Sequence, residues 1–274
     1  MQIHGHDIGV CGWSLRPANT EELIAGVKSL GLSHIQLTLA PLLELDESRR
    51  QMELNQLRAS GLKVTATMIN FTGEDYASIA RIHATGGYLP DGEWPARKAL
   101  TADAAKLSAE LGAALLTTHV GFVPAKSDKG YATMLQRVRE IASELARHGV
   151  TLIMETGQER ADALLAFLLD LKAENVAINF DPANMILYGA GDPIEAIGVL
   201  AKYIRHVHVK DATASDKPGE AWGEEVPFGT GQVGPKRFIE ALHRAGYRGP
   251  LAIEREAGES RMEDVKAAIR VLGG

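Results

Sequence analysis

One phrase recurs along this sequence: an amphipathic helical stretch, a glycine, then a brief run of β-branched and apolar residues. It reads SLGLSHIQLTL, ASGLKVTATMI, LGAALLTTHVG, RHGVTLIMETG and AGYRGPLAIER. A glycine just past a helix supplies the left-handed conformation that closes the last turn. The runs that follow are nearly continuous in Val, Ile, Leu and Thr, which suits strands covered on both faces. Helix starts are marked as well: Asn19 followed three residues later by Glu22 has the form of a capping box ahead of LIAGVKSL. A chain that alternates strand and helix in this way is restricted to a few parallel-sheet architectures.

Counting through the chain gives strands beginning near Ile8, Ser33, Lys63, Ala114, Thr151, Val176, His206 and Leu251. Helical patterns fill the intervals near 20–30, 46–60, 95–111, 131–148, 159–173, 192–203, 235–245 and 261–272. Eight of each predict an α/β fold, a single (β/α)8 TIM barrel occupying 1–274 as one domain. An open doubly wound sheet is the competing architecture, but no GxGxxG turn follows the first strand. Two connections exceed turn length, FTGEDYASIARIHATGGYLPDGEW over 71–94 and DATASDKPGEAWGEEVPFGTGQVG over 211–234. Both follow strands, which places them at the C-terminal mouth of a barrel, where active sites are built.

The composition excludes several functions. A net charge of −6 with no basic stripe argues against a nucleic-acid binder. Cys11 is the only cysteine, so an intrachain disulfide is excluded and a reducing compartment fits. MQIHGHDIGV has no basic region leading into an apolar core, and no apolar run approaches the roughly 20 residues needed to span a bilayer. A soluble, cytoplasmic protein is expected, with a homodimer as the default for such barrels.

Against this background four residues stand out, each at the end of an apolar run in the C-terminal half: Glu155 in TLIMETG, Asp181 in VAINFDPAN, His208 in IRHVHVKDA and Glu254 in PLAIEREAG. Charged groups are rarely buried unless paired or bound to metal. Two glutamates, an aspartate and a histidine form a ligand set suited to one divalent cation, Mn, Mg, Co or Zn. One such residue per successive strand, at a common depth, would let all four converge above the barrel core.

Neighbouring residues extend the site. His206 shares a strand face with His208 but lies one pleat deeper, so His208 is the expected ligand and His206 a hydrogen-bonded supporting residue. Lys210 continues that face to the mouth, where a cation would hold a substrate oxygen or phosphate. His119, ending the fourth strand in LLTTHVGFVP, and Trp13, ending the first in VCGWSLRP, are expected to contact substrate. The glycines of PFGTGQVG, Gly229 and Gly231, offer backbone N–H groups to an anion. His4, His6, His34, His83, His148 and His243 fall at helix ends, loops or strand starts and are assigned no chemistry.

At these residues the chain resembles the xylose isomerase-like TIM-barrel superfamily, the sugar phosphate isomerase/epimerase group. The resemblance runs from VCGWSLRP to IEREAGES and is carried by METGQE, FDPANM, HVHVKDA, the GTGQV turn and IERE. It implies that Glu155, Asp181, His208 and Glu254 correspond to the single-metal ligands of the ketose epimerases. Those enzymes carry a substrate-binding histidine three residues after the metal aspartate, where this chain has Asn184. Asparagine donates a hydrogen bond to a sugar hydroxyl but cannot titrate. The arginine that they place soon after the metal histidine has no counterpart in DATASDK.

The expected activity is a divalent-metal-dependent isomerisation or epimerisation of a small carbohydrate. Glu155 and Glu254 would be the catalytic acid–base pair on opposite sides of an enediolate. The alternative is a metal-dependent dehydratase resembling the inosose dehydratases, which shares the opening proton abstraction and then loses a β-hydroxyl. A non-catalytic sugar-binding protein and a three-zinc DNA-repair endonuclease of the endonuclease IV type are weaker alternatives. The last needs further histidines at strand ends and a basic face that this acidic chain lacks.

Overall fold

The computed structural model describes residues 1–274 and shows a closed parallel barrel of eight strands wrapped by helices. The barrel strands are β1 (His6–Cys11), β2 (His34–Thr38), β3 (Lys63–Met68), β4 (Leu115–Thr118), β5 (Thr151–Glu155), β6 (Val176–Phe180), β7 (Ile204–Val209) and β8 (Leu251–Ile253). Successive strands pair in parallel, and β1 pairs with both β2 and β8, which closes the ring. The expected (β/α)8 TIM barrel is therefore the observed fold. A two-residue strand, Gln2–Ile3, pairs antiparallel with the start of β1.

The glycines of the recurring phrase do what their position predicts. Gly31, Gly61, Gly112, Gly149 and Gly246 all take positive φ, between 68° and 75°. They lie between a helix and the strand it feeds, so the base of the barrel is made of the same turn repeated. Asn19 Oδ1 accepts the Glu22 N–H at 2.9 Å, while Glu22 reaches past the cap to accept from the Ala18 N–H at 2.8 Å.

Period-two alternation sorts each strand into two faces. Leu152, Met154, Ile178, Phe180, Val207, Val209, Leu251 and Ile253 belong to the main apolar core between barrel and helices. The alternate positions face the barrel interior. Low in the barrel these are Ala66, Ile153 and Ala177, a small separate apolar cluster. Higher up the same faces carry Asn179, His206, His208 and Glu155, all buried. The interior thus turns from apolar to polar toward the C-terminal ends of the strands.

The main helices match their expected positions to within about three residues. Short elements were not expected: helices Ala40–Leu43, Ile79–Thr85 and Pro182–Leu187, and an antiparallel pair, Asp211–Thr213 with Glu224–Val226, inside the second long connection. No helix is long and apolar enough to cross a membrane.

Candidate metal centre and substrate pocket

Glu155 is the last residue of β5, and His208 lies next to the end of β7. Asp181 immediately follows β6 and caps helix Pro182–Leu187 by accepting the Asn184 N–H at 2.8 Å. Glu254 immediately follows β8. Thr156 locks the ends of β5 and β6 together: its hydroxyl accepts the Asp181 N–H at 2.8 Å and donates to the Asp181 carbonyl at 3.1 Å. Four strand ends therefore deliver four side chains to one place, and one ligand atom from each lies within 4.8 Å of the others.

His208 Nδ1 sits 3.2 Å from Asp181 Oδ2, 3.2 Å from Glu254 Oε2 and 3.5 Å from Glu155 Oε1. Its Nε2 lies 2.6 Å from Gln36 Oε1, and Gln36 donates its amide to Thr117 Oγ1 at 2.9 Å. With Nε2–H given to Gln36, Nδ1 is the nitrogen turned toward the carboxylates, the usual way a partner on one nitrogen fixes which nitrogen is free to ligate. One pleat below, His206 bridges Asn179 Oδ1 at 2.8 Å and Thr65 Oγ1 at 3.0 Å. Burial pushes its pKa down to about 3, so it stays neutral beneath the charged cluster.

The residues fit a divalent cation. Three carboxylates and an imidazole converge with almost no solvent exposure, and Glu155 Oε2 is buried without a hydrogen-bond partner. An orphaned carboxylate oxygen in such a place is costly unless something positive meets it. Burial opposes the charge on Glu155, but His119 and His208 outweigh it and hold its carboxyl below the ordinary range. Glu254 is likewise opposed by burial, yet Lys210 and His208 hold it well below that range. Asp181 is raised by its burial.

Lys210 is more enclosed than a mouth residue was expected to be. Its Nζ lies 2.7 Å from Glu256 Oε2 and 2.8 Å from Glu254 Oε2, with Asp181 Oδ2 at 3.8 Å. Burial works against its charge, but Glu254 and Glu256 keep its pKa well above the ordinary lysine value. It lines the pocket while serving as the fixed counter-charge of the acidic cluster. Asn184 and Trp13 also line the pocket, and both are engaged with the carboxylates. Asn184 Nδ2 donates to Glu155 Oε1 at 2.9 Å, and Trp13 Nε1 donates to Glu254 Oε1 at 2.8 Å. His119 Nε2 stands 3.8 Å from Glu155 Oε1, and its Nδ1 is buried without a partner.

Gly229 and Gly231 require a correction. Their N–H groups, expected to face an external anion, donate to Asp211 Oδ2 at 2.9 and 3.1 Å. Asp211 Oδ1 takes the N–H groups of Ala212 at 2.9 Å and Val233 at 3.0 Å. The nest is filled by the chain's own carboxylate, which ties down the second long connection.

Above the cluster lies a cavity of about 600 Å³. Its walls include residues that sequence reasoning did not single out, among them Asn70, Tyr76, Tyr188, Trp222, Glu256 and Arg261. Tyr188 and Trp222 meet edge to face, ring centroids 4.7 Å apart. The two long connections contribute Tyr76, Trp222 and Glu225 to the wall. Glu256 alone had a legible signal, since it repeats the spacing of Glu254 in IERE.

Comparison with known proteins identifies the family and the fold. The sequence profile described as xylose isomerase-like TIM barrel matches residues 24–273. The chain belongs to the xylose isomerase-like TIM-barrel family. A solved relative, a xylose isomerase domain protein from Planctomyces limnophilus, is 34% identical, with a TM-score of 0.86 over 97% of this chain and 94% of that one. An L-ribulose 3-epimerase shares the fold at 18% identity and TM-score 0.74, covering 97% of this chain and 93% of its own. A probable 3-DHS dehydratase from Bacillus anthracis shares it at 17% and 0.73, covering 98% and 99%. Among curated proteins none matches the sequence. The fold is thus one that an epimerase and a probable dehydratase share, and fold by itself does not fix function.

Proposed function

We propose that this family member is a divalent-metal-dependent isomerase or epimerase of a small sugar or sugar derivative. The observation that carries the reading is the convergence of Glu155, Asp181, His208 and Glu254 from four consecutive strands to within 4.8 Å, at the floor of a pocket of carbohydrate size. These four residues would hold the ion, which when bound supplies Lewis-acid polarisation of a carbonyl and its neighbouring hydroxyl.

The protein's own groups account for the remainder of the chemistry. Glu155, oriented by Asn184, would take a proton from the carbon next to a carbonyl. Glu254, oriented by Trp13 and Lys210, would take the proton of the neighbouring substrate hydroxyl as the enediolate forms and return it to carbon from the other side. Proton removal and return on opposite faces inverts a carbon centre, while return to the adjacent carbon isomerises. Tyr188, Trp222 and the rim connections would exclude water from the exchanging proton.

A second reading, dehydration, is supported by the buried Lys210 ammonium in the pocket wall, which would hold a departing hydroxyl while Glu155 passes to it the proton taken from carbon. The test is to assay purified protein with added Mn, Mg, Co or Zn against ketoses and inososes in deuterated water. Deuterium entering at carbon with conserved substrate composition supports isomerisation or epimerisation. Loss of water with a new enone absorbance supports the lyase. No exchange with any metal overturns both.

A further inference from the structure

Beside the pocket over the acidic cluster lies a second chamber of about 420 Å³, bordered by the 3-10 turn Gly12–Leu15 and by helices Thr20–Ser29, Ala40–Leu43 and Glu47–Ser60. The two cavities share Trp13 and Thr38 in their walls. Trp13 is not a loose partition, because its indole N–H is held by Glu254. The chamber beyond it is lined mainly by apolar side chains, including Leu23, Leu42, Leu45 and Pro41. Among them stands one group with no internal purpose: Glu53 Oε2 is buried and has no hydrogen-bond partner. The chain also enters the chamber through a strained residue, Arg16, a non-glycine with φ of 48°. Such conformations persist where the surroundings hold them and cluster at binding sites.

An unsatisfied carboxylate oxygen in an apolar wall calls for a donor, and apolar walls around it call for a ligand with C–H faces. A sugar ring offers both. We propose that this chamber is a second sugar subsite, so that the substrate is a glycosylated sugar: the reacting unit lies over the acidic cluster and a linked ring passes Trp13 to donate a hydroxyl to Glu53. This rests on the carbohydrate reading of the main pocket.

The test compares D-fructose with glycosyl-fructoses linked through O3, O4 and O6 (turanose, lactulose, isomaltulose) by calorimetric titration of the manganese-loaded protein. At least one disaccharide should bind ten-fold or more tightly than fructose. Leu45→Trp, which fills the chamber, and Glu53→Ala, which removes the acceptor, should each erase that advantage while leaving fructose affinity unchanged. Circular dichroism of both variants checks that the fold is retained, and either folded variant suffices. Fructose binding with no gain from any second ring, or a gain that survives both variants, overturns the subsite alone. Binding of neither fructose nor any disaccharide overturns the carbohydrate reading and the subsite with it.

Discussion

The two oxygens of Glu155 are in different circumstances, Oε1 held by Asn184 and Oε2 buried without a partner. Glu155→Gln keeps the shape and removes the charge. It should lower turnover by about 10²–10⁴-fold, the range for loss of a positioned acid or base, while leaving circular dichroism unchanged. Wild-type turnover in the variant would remove Glu155 from the chemistry. Lys210 can be tested separately, because its ammonium compensates Glu254 and Glu256 whether or not a metal is bound. Lys210→Met should destabilise the metal-free protein by about 3–5 kcal/mol in urea unfolding, the cost of leaving a buried charge without its partner. At this scale the sequence was most informative about residues at strand ends. A lone polar residue closing an apolar run is visible to the eye, as Glu155, Asp181, His208 and Glu254 were. Gln36 was not, because its importance is a contact with His208 across 172 residues of sequence. Tyr76 and Trp222 lie in long connections, where no periodicity indicates which way a side chain faces.

At the scale of elements, the connection after β7 depends on one carboxylate. Asp211 receives four backbone N–H groups, two on each oxygen. Asp211→Asn would turn an amide donor toward two of these donors, so even this isosteric change should cost stability. The expected loss is about 2–4 kcal/mol, since each charge-assisted bond contributes about 1.5–3 kcal/mol and the loop relaxes in part. Urea unfolding measures it, and an unchanged midpoint would show that the nest is dispensable. Another link joins the connections after β4 and β5, where Glu159 Oε1 accepts the Val123 N–H at 2.7 Å. Burial pushes the Glu159 carboxyl up to about 7 from an ordinary 4.5. The folded state therefore binds this proton more tightly than the unfolded chain does. Its contribution is complete below about pH 4.5 and is lost as the pH rises through about 7. Relative to wild type, Glu159→Gln should gain melting temperature steadily across that window, and a constant difference would refute the assignment. The long helices and barrel strands were legible because their periods persist over many residues. Helices Ala40–Leu43 and Pro182–Leu187 are too short to show a period, and the strand pair in the second long connection depends on tertiary contact.

For the whole molecule, a metal held by four strand ends would stabilise the folded barrel by mass action. At about one hundred times its dissociation constant, the ion should add about 2.7 kcal/mol. The melting temperature should therefore climb with manganese or cobalt concentration and fall back with chelator, and Glu155→Gln should blunt the climb. A melting curve indifferent to every divalent ion would remove the metal from the account. The barrel itself was legible from repetition alone, since eight strand–helix units with covered strands have few ways to close. The site at its mouth is less legible, because wall residues such as Tyr76 and Trp222 come from irregular connections.

Closure has a consequence for how the protein comes into being. β1 leaves the ribosome long before one of its two partners, Leu251–Ile253. Until that strand emerges, β1 presents an unpaired edge, Trp13 lacks its acceptor and the acidic cluster lacks Glu254. The nascent chain therefore carries an incomplete four-residue cluster until the eighth strand emerges. Closing the ring and completing the acidic cluster are thus a single event.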